Sequence, residues 1–140
     1  MKANSLPSNE LNFYCKAIKR SENLTDPVLI QRFESITIAV FAIVLYANLD
    51  ASWWLFGALI LTPDVSLLAY LISVKVGSKI YNIFHNYSLP LIIATLSFLF
   101  SFPFAMEVAL IWITHIAIDR SLGYGLKFPT NFKHTHLSWK

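Results

Sequence analysis

The sequence predicts an all-α integral membrane protein, a four-helix bundle with both termini in the cytoplasm. Hydrophobic residues make up 56% of the chain and charged residues only 14%, whereas soluble domains carry about 25% charged residues. The apolar residues fall into four long stretches, and the basic residues lie outside them. At 140 residues the chain has room for one domain.

Residues 1–26 form a polar tail ahead of the bundle. Apolar residues at helical spacing between residues 9 and 20 are compatible with a short helix on the membrane surface, and a loosely ordered tail is the alternative. The single cysteine, Cys15, excludes an internal disulfide and predicts a free thiol. No continuous apolar run precedes Glu34, so the first hydrophobic helix is expected to be an uncleaved anchor.

The four-helix domain covers residues 27–122, followed by a cytoplasmic C-terminal tail over residues 123–140. Thr25-Asp26-Pro27 is a helix start signal, with a capping acid before a proline at the first helical position. The spans are expected at about 27–49, 52–73, 80–100 and 104–120, with Lys75, Gly77 and Lys79 connecting the second to the third. Each approaches the ~20 residues that cross a bilayer core.

The distribution of basic residues predicts the orientation. All eleven lysines and arginines precede the lipid-embedded part of the first span, which is Ile36–Leu49, lie at or after the end of the fourth, or lie between the second and third: Lys2, Lys16, Lys19, Arg20, Arg32, Lys75, Lys79, Arg120, Lys127, Lys133 and Lys140. The positive-inside rule therefore places these three regions in the cytoplasm. The charges do not form a basic groove with aromatic residues, so nucleic acid is not an expected partner.

Ionisable and polar side chains in the spans converge at one depth. Asp64 lies in the lower half of the second span, Asn82 and His85 near the start of the third, and His115 and Asp119 near the end of the fourth. Glu34 lies near the cytoplasmic start of the first span. All fall within ~15 Å of the cytoplasmic boundary at ~1.5 Å per residue. Because such groups are costly in a bilayer, they are expected to face a partner or a wet cavity.

The i,i+4 spacing of His115 and Asp119 places an imidazole and a carboxylate on one helical face. The pair can ligate a divalent metal. The alternatives are a buried His–Asp hydrogen bond, or Asp119 pairing with Arg120 or Lys127. Because other candidate ligands lie at this depth, a metal site and a purely structural role for the pair are equally supported.

Two prolines and the C-terminal tail bear on the same site. Pro63 is expected to open a polar cavity beside Asp64, and Pro90 to bend the third span. The tail carries alternating histidines, His134 and His136. It either folds back beneath the helices and supplies His136 or Lys127 to the site, or is a solvated basic tail that contacts anionic lipid.

Four segments stand out as a set: Ser52-Trp-Trp-Leu-Phe, Thr62-Pro-Asp64-Val-Ser66, Tyr81-Asn82-Ile-Phe-His85, and His115-Ile-Ala-Ile-Asp119 continuing to Leu137. Together they resemble the bacterial membrane family catalogued as domain of unknown function 4260, over roughly Arg32 to Leu137. The family has aspartate where His134 stands, whereas His136 matches. The resemblance implies the bacterial cytoplasmic (inner) membrane and brings no activity with it.

A shorter motif points to chemistry. His115-xxx-Asp119 followed by Gly123-Tyr124-Gly125 is similar to a pattern in YdjM-like membrane-bound metal-dependent hydrolases. This second resemblance implies a hydrolytic metal site and rests on analogy.

The leading hypothesis is a cytoplasm-facing divalent metal site for hydrolysis of a lipid or lipid-linked substrate. The candidate ligands are Asp64, His85, His115, Asp119 and His136, and the candidate catalytic bases are Glu34 and Asp64. One alternative is a small proton-coupled carrier, which would need a homo-oligomer to enclose a pathway. The other is a structural or regulatory membrane protein without catalysis.

Overall fold

The computed structural model describes residues 26–133 and 135–137. The chain there forms α1 Pro27–Ala47, α2 Trp53–Leu59, the 3-10 helix η1 Thr62–Leu71, α3 Val74–Phe84, α4 Ser88–Leu99 and α5 Pro103–Leu122. These residues contain no β-strand, only an isolated bridge between Lys127 and Thr135, so the all-α class is confirmed. The surface helix predicted at residues 9–20, Cys15 and His134 lie outside the described residues.

Helix α1 begins as the sequence predicts. The Asp26 carboxylate accepts a hydrogen bond from the backbone N–H of Val28 at 2.9 Å, and Pro27 occupies the first turn. The buried face of α1 carries mostly small side chains at helical spacing: Ser35, Ala39, Ala42 and Tyr46. Small residues let two helices approach closely in a membrane, and this face packs against α5.

Helix α5 is the centre of the bundle. It contacts α1, α2 and α4, and most residues from Ala109 to Ala117 are buried. Helix α5 ends at Gly123, whose φ of 94° lies in the left-handed region that favours glycine. A Cβ at Gly123 would lie 2.6 Å from the Arg32 guanidinium, so the end of α5 packs closely against the start of α1.

The second predicted span is not one continuous α-helix. Helix α2 ends at Leu59, and the chain continues as the ten-residue 3-10 helix η1. Pro63 lies in the first turn of η1, where its missing N–H leaves the Leu59 carbonyl without its usual helical donor. The Thr62 hydroxyl donates to that carbonyl at 2.5 Å instead.

The connection predicted at residues 75–79 is helical. The hydroxyl of Ser73 accepts from the backbone N–H of Val76 at 3.1 Å, which caps α3 and starts it at Val74. Gly77 lies directly against the ring of Tyr70, where a Cβ would overlap the ring. This close approach packs η1 against α3 and leaves only a short link between them.

The third predicted span is also broken. Helix α3 ends at Phe84 and α4 begins at Ser88, and the side chain of Asn86 accepts from the Ser88 N–H at 2.9 Å. Pro90 therefore lies in the first turn of a new helix rather than bending a continuous one. The break follows directly after His85.

Three stretches are long and apolar enough to cross a membrane: Pro27–Ala47, Trp53–Leu71 and Val74–Phe100. Many of their large apolar side chains are exposed, among them Trp54, Leu71 and Phe98. Helix α5 has 20 residues and is not one of these three stretches. It carries Glu107, Asp119 and Arg120, of which Arg120 is buried and the two acids are partly exposed.

Candidate metal centre

Three elements bring two histidines and two aspartates together. Asp64 lies at the start of η1, His85 ends α3, and His115 and Asp119 lie one turn apart on α5. One ligand atom from each side chain can be chosen so that all four lie within 4.8 Å of one another. The i,i+4 pair of His115 and Asp119 is thus present in the structure, and Asp64 and His85 lie beside it.

The ring of His85 has one nitrogen directed at this group. Its Nδ1 lies 3.1 Å from the backbone carbonyl oxygen of Tyr81. A carbonyl can only accept, so Nδ1 carries the proton, and in the neutral ring Nε2 keeps a lone pair. That Nε2 faces His115 Nε2 at 3.2 Å.

The distances between the histidines and the aspartates are longer than those of ordinary hydrogen bonds. His85 Nε2 lies 3.4 Å from Asp64 Oδ1 and 3.5 Å from Asp119 Oδ2, and His115 Nε2 lies 3.6 and 3.8 Å from the same atoms. Direct N–H···O bonds usually span about 2.7–3.2 Å. Ligand atoms about 2.1 Å from a tetrahedral metal lie about 3.4 Å apart, so a group with this spacing could hold a metal ion.

The surroundings fix the orientation of these ligands. The ring of Tyr81 stacks on that of His85 at 3.7 Å between centroids, and its hydroxyl lies 3.3 Å from Asp119 Oδ2. The buried guanidinium of Arg120 donates to the His85 carbonyl at 3.0 Å. Outer contacts of this kind hold metal-ligating side chains in place.

The group is open on one side. The histidine side chains are 3% and 5% exposed, whereas that of Asp64 is 38% exposed and that of Asp119 is 19% exposed. The imidazoles therefore lie on the buried side of the cluster, and the carboxylates lie on its exposed side.

The C-terminal tail folds back onto this side, which was one of the two alternatives. The side-chain amide of Asn82 bonds both backbone groups of Lys127: its oxygen accepts from the N–H at 2.7 Å, and its nitrogen donates to the carbonyl at 2.9 Å. The Lys127 ammonium lies 4.9 Å from the centroid of the Tyr81 ring. The tail thus places a cation beside the centre.

Two predicted site residues lie elsewhere. Glu34 is exposed on α1 and is not among the four clustered residues. His136 Nδ1 accepts from the Leu126 N–H at 2.8 Å, and its Nε2 lies 3.1 Å from the Arg120 guanidinium. Burial, followed by the charge of Arg120, lowers the pKa of His136. This ring joins the tail to α5 instead of entering the cluster.

Sequence reasoning did not assign Tyr81 or Arg120 to the site. Arg120 was considered only as a partner for Asp119, and it bonds the His85 carbonyl instead. The signal that could have found Tyr81 is its i,i+4 spacing to His85, which places both rings on one face of α3.

A comparison with known families matches this architecture to one of them. The family model described as "Domain of unknown function (DUF4260)" matches residues 28–139. The chain belongs to this family. The match covers all the helices and the four clustered residues of this DUF4260 domain, and the resemblance seen in the sequence is confirmed. No curated protein and no solved structure matches the chain, and the similarity to YdjM-like hydrolases is not shown.

Proposed function

We propose that the domain binds one divalent metal ion through Asp64, His85, His115 and Asp119. The observation that supports this is the approach of four ligand atoms from three elements to within 4.8 Å. Two neutral imidazoles and two carboxylates balance a divalent charge and suit zinc or a similar transition metal.

The chemistry that this centre fits is hydrolysis of a lipid or lipid-linked substrate. A bound divalent ion lowers the pKa of a water molecule toward neutrality and stabilises developing negative charge. Asp64, the most exposed of the four side chains, would hold that water or accept its proton. Tyr81 orients Asp119, and Arg120 holds the His85 backbone.

The proposal includes four membrane crossings, with the centre facing the cytoplasm. Helix α5, at 20 residues, is long enough to cross ~30 Å, and its burial among the other helices compensates for its charged residues. Four crossings place both ends of the domain on the side that carries the basic residues. Reporter fusions at the two termini should both report the cytoplasm, and opposite reports would exclude four crossings.

Metal analysis tests the central claim. Protein purified in detergent without chelator should contain about one equivalent of a transition metal by mass spectrometry, since four ligands complete one tetrahedral site. His115→Ala and Asp119→Ala should each lower that content at least about tenfold. Circular dichroism would confirm that the variants remain helical.

Two matched variants serve as controls. His136→Gln and Glu34→Gln remove a histidine and an acid that lie outside the cluster, and both should keep the metal. Absence of metal from wild-type protein, even after loading with zinc or manganese, would contradict the proposal. It would favour a carrier or a structural role for the four side chains.

A further inference from the structure

A second concave site lies beside the candidate metal centre. A cavity of about 350 Å³ opens where the C-terminal tail passes the end of α5, and its lining residues are Gly123, Tyr124, Lys127, Phe132, Lys133 and Thr135. Two of these residues are lysines and none is acidic. Its volume lies within the range of small-molecule sites, about 300–1,000 Å³, and its charge suits an anion.

Lys127 belongs to both sites. Its ammonium donates to the carbonyl of Phe132 at 3.1 Å and lies 3.7 Å from the centroid of the Phe132 ring, in the wall of the cavity. On its other side it lies over Tyr81, whose hydroxyl contacts Asp119. The Lys127 side chain and the Tyr81 ring therefore lie between the cavity and the ligand set.

The position of Lys127 is fixed by the fold. Both of its backbone groups bond Asn82, so the ammonium is held close to α3. Burial lowers the pKa of Lys127, while the nearby carboxylates of Asp119 and Asp64 oppose that shift. An ammonium has three N–H donors, and the bond to Phe132 uses one.

We propose that this basic cavity binds the phosphate group of a phosphate monoester and presents it to the metal centre. The inference rests on the proposed function and names its substrate class. Lysine is a common phosphate ligand, and a basic pocket at the end of a membrane helix fits an anionic lipid headgroup. Two sources share this chemistry, a lipid such as phosphatidic acid and a soluble phosphate.

The reaction implied is hydrolysis of the monoester. The oxygen of water bonds to phosphorus, the bond from phosphorus to the alcohol oxygen breaks, and the alcohol leaves with a proton from that water. Lys127 would hold a non-bridging phosphate oxygen during this exchange. The products are inorganic phosphate and an alcohol, with no oxidant or second substrate required.

Binding is tested separately from metal loading. Metal-free protein, prepared with chelator, is incubated with mixed micelles of phosphatidic acid and phosphatidylcholine, and the retained lipid is measured by native mass spectrometry. Wild-type protein should retain phosphatidic acid preferentially. Lys127→Gln and Lys133→Gln should each reduce that preference about tenfold, the effect of one charge-assisted hydrogen bond.

The matched control is Lys79→Gln, which removes an exposed lysine of α3 that does not line the cavity. It should retain phosphatidic acid like wild type, and Lys127→Arg should as well. Equal loss in all three glutamine variants, or no preference in wild type, would overturn the proposal. Lys127→Gln is expected to lose the lipid preference but to keep the metal. Failure of the cavity proposal would therefore change only lipid retention, and failure of the metal proposal would change only metal content.

Competition identifies the source of the phosphate. Displacement of phosphatidic acid by millimolar inorganic phosphate would indicate that the cavity recognises the phosphate alone. Retention in its presence would indicate that the acyl chains contribute and that the ligand is a membrane lipid. Both results support a phosphate site that depends on Lys127.

Discussion

The histidines of the candidate metal centre and the histidine of the C-terminal tail have different surroundings. His85 and His115 direct their Nε2 atoms at each other and at carboxylate oxygens, at distances from 3.2 to 3.8 Å. In the tail, His136 accepts from a backbone N–H and faces a guanidinium. The first pair faces carboxylate oxygens, and this group of side chains could hold a metal ion. His136 faces donors that the protein itself supplies, so its ring attaches the tail to the helices.

The same contrast holds for the bonds that build each region. The centre is formed by side chains that meet side chains from other helices. The tail is held by side chains that bond backbone groups, as Asn82 does with Lys127 and His136 does with Leu126, and by the contact of the His136 ring with the Arg120 guanidinium. Substitutions in the centre should therefore change ligand binding first, and substitutions around the tail should change its attachment first. Three variants test this distinction.

Arg120→Ala should have the largest effect because this residue belongs to both regions. Its guanidinium is buried and contacts the His85 carbonyl and the His136 ring. Loss of these charge-assisted bonds should lower the free energy of unfolding by about 2–4 kcal/mol. Denaturant unfolding in detergent, followed by circular dichroism, measures it. A change no larger than that of Lys79→Ala, at an exposed position, would mean that Arg120 does not join the two regions.

Asn82→Ala should detach the tail while the helices stay folded. It removes two hydrogen bonds to Lys127, worth about 1–2 kcal/mol together. Trypsin should then cleave after Lys127 and Lys133 faster than in wild type. Asn86→Ala is the matched control, because that amide bonds the carbonyls of Asn82 and Ile83 within its own segment. Equal cleavage of the two variants would show that Asn82 does not hold the tail.

His136→Gln should show the smallest effect, visible as a change in pH dependence. The folded protein lowers the pKa of His136 below its ordinary 6.5, so the unfolded chain binds the proton more readily. Stability from the neutral ring is thus present above pH ~6.5 and is lost as the pH falls through the folded pKa. In chelator, wild type should lose more thermal stability than His136→Gln between pH 8 and 5.5. Parallel curves would contradict this assignment.

The sequence predicts those parts of the molecule where local signals dominate. The helix start at Asp26 and the apolar stretches follow from capping chemistry and composition. The break after Leu59 follows from Pro63 and the Thr62 hydroxyl, and the break after Phe84 is accompanied by the Asn86 cap. These polar contacts do not appear in a hydropathy pattern, whereas the packing of Tyr70 against Gly77 is set by the fold.

The four clustered side chains were predicted because a charged or imidazole group stands out in an apolar stretch. Depth along a helix can be counted from the sequence, but rotation about the helix axis cannot. Glu34 has a suitable depth and yet is exposed on α1. Tyr81 was overlooked because aromatic residues are common in the spans, so its contact with Asp119 has no distinct signature.

The 3-10 form of η1 determines which side chains share a line along the second span. With three residues per turn, positions three apart eclipse one another, so Asp64, Leu67 and Tyr70 fall in one column. At one end of this column is a metal ligand candidate, and at the other Tyr70 meets Phe132 of the tail, 4.9 Å between ring centroids. Rewinding η1 as an α-helix would rotate Tyr70 by about 120° relative to Asp64. The second span could then contact the ligand set or the tail, but not both.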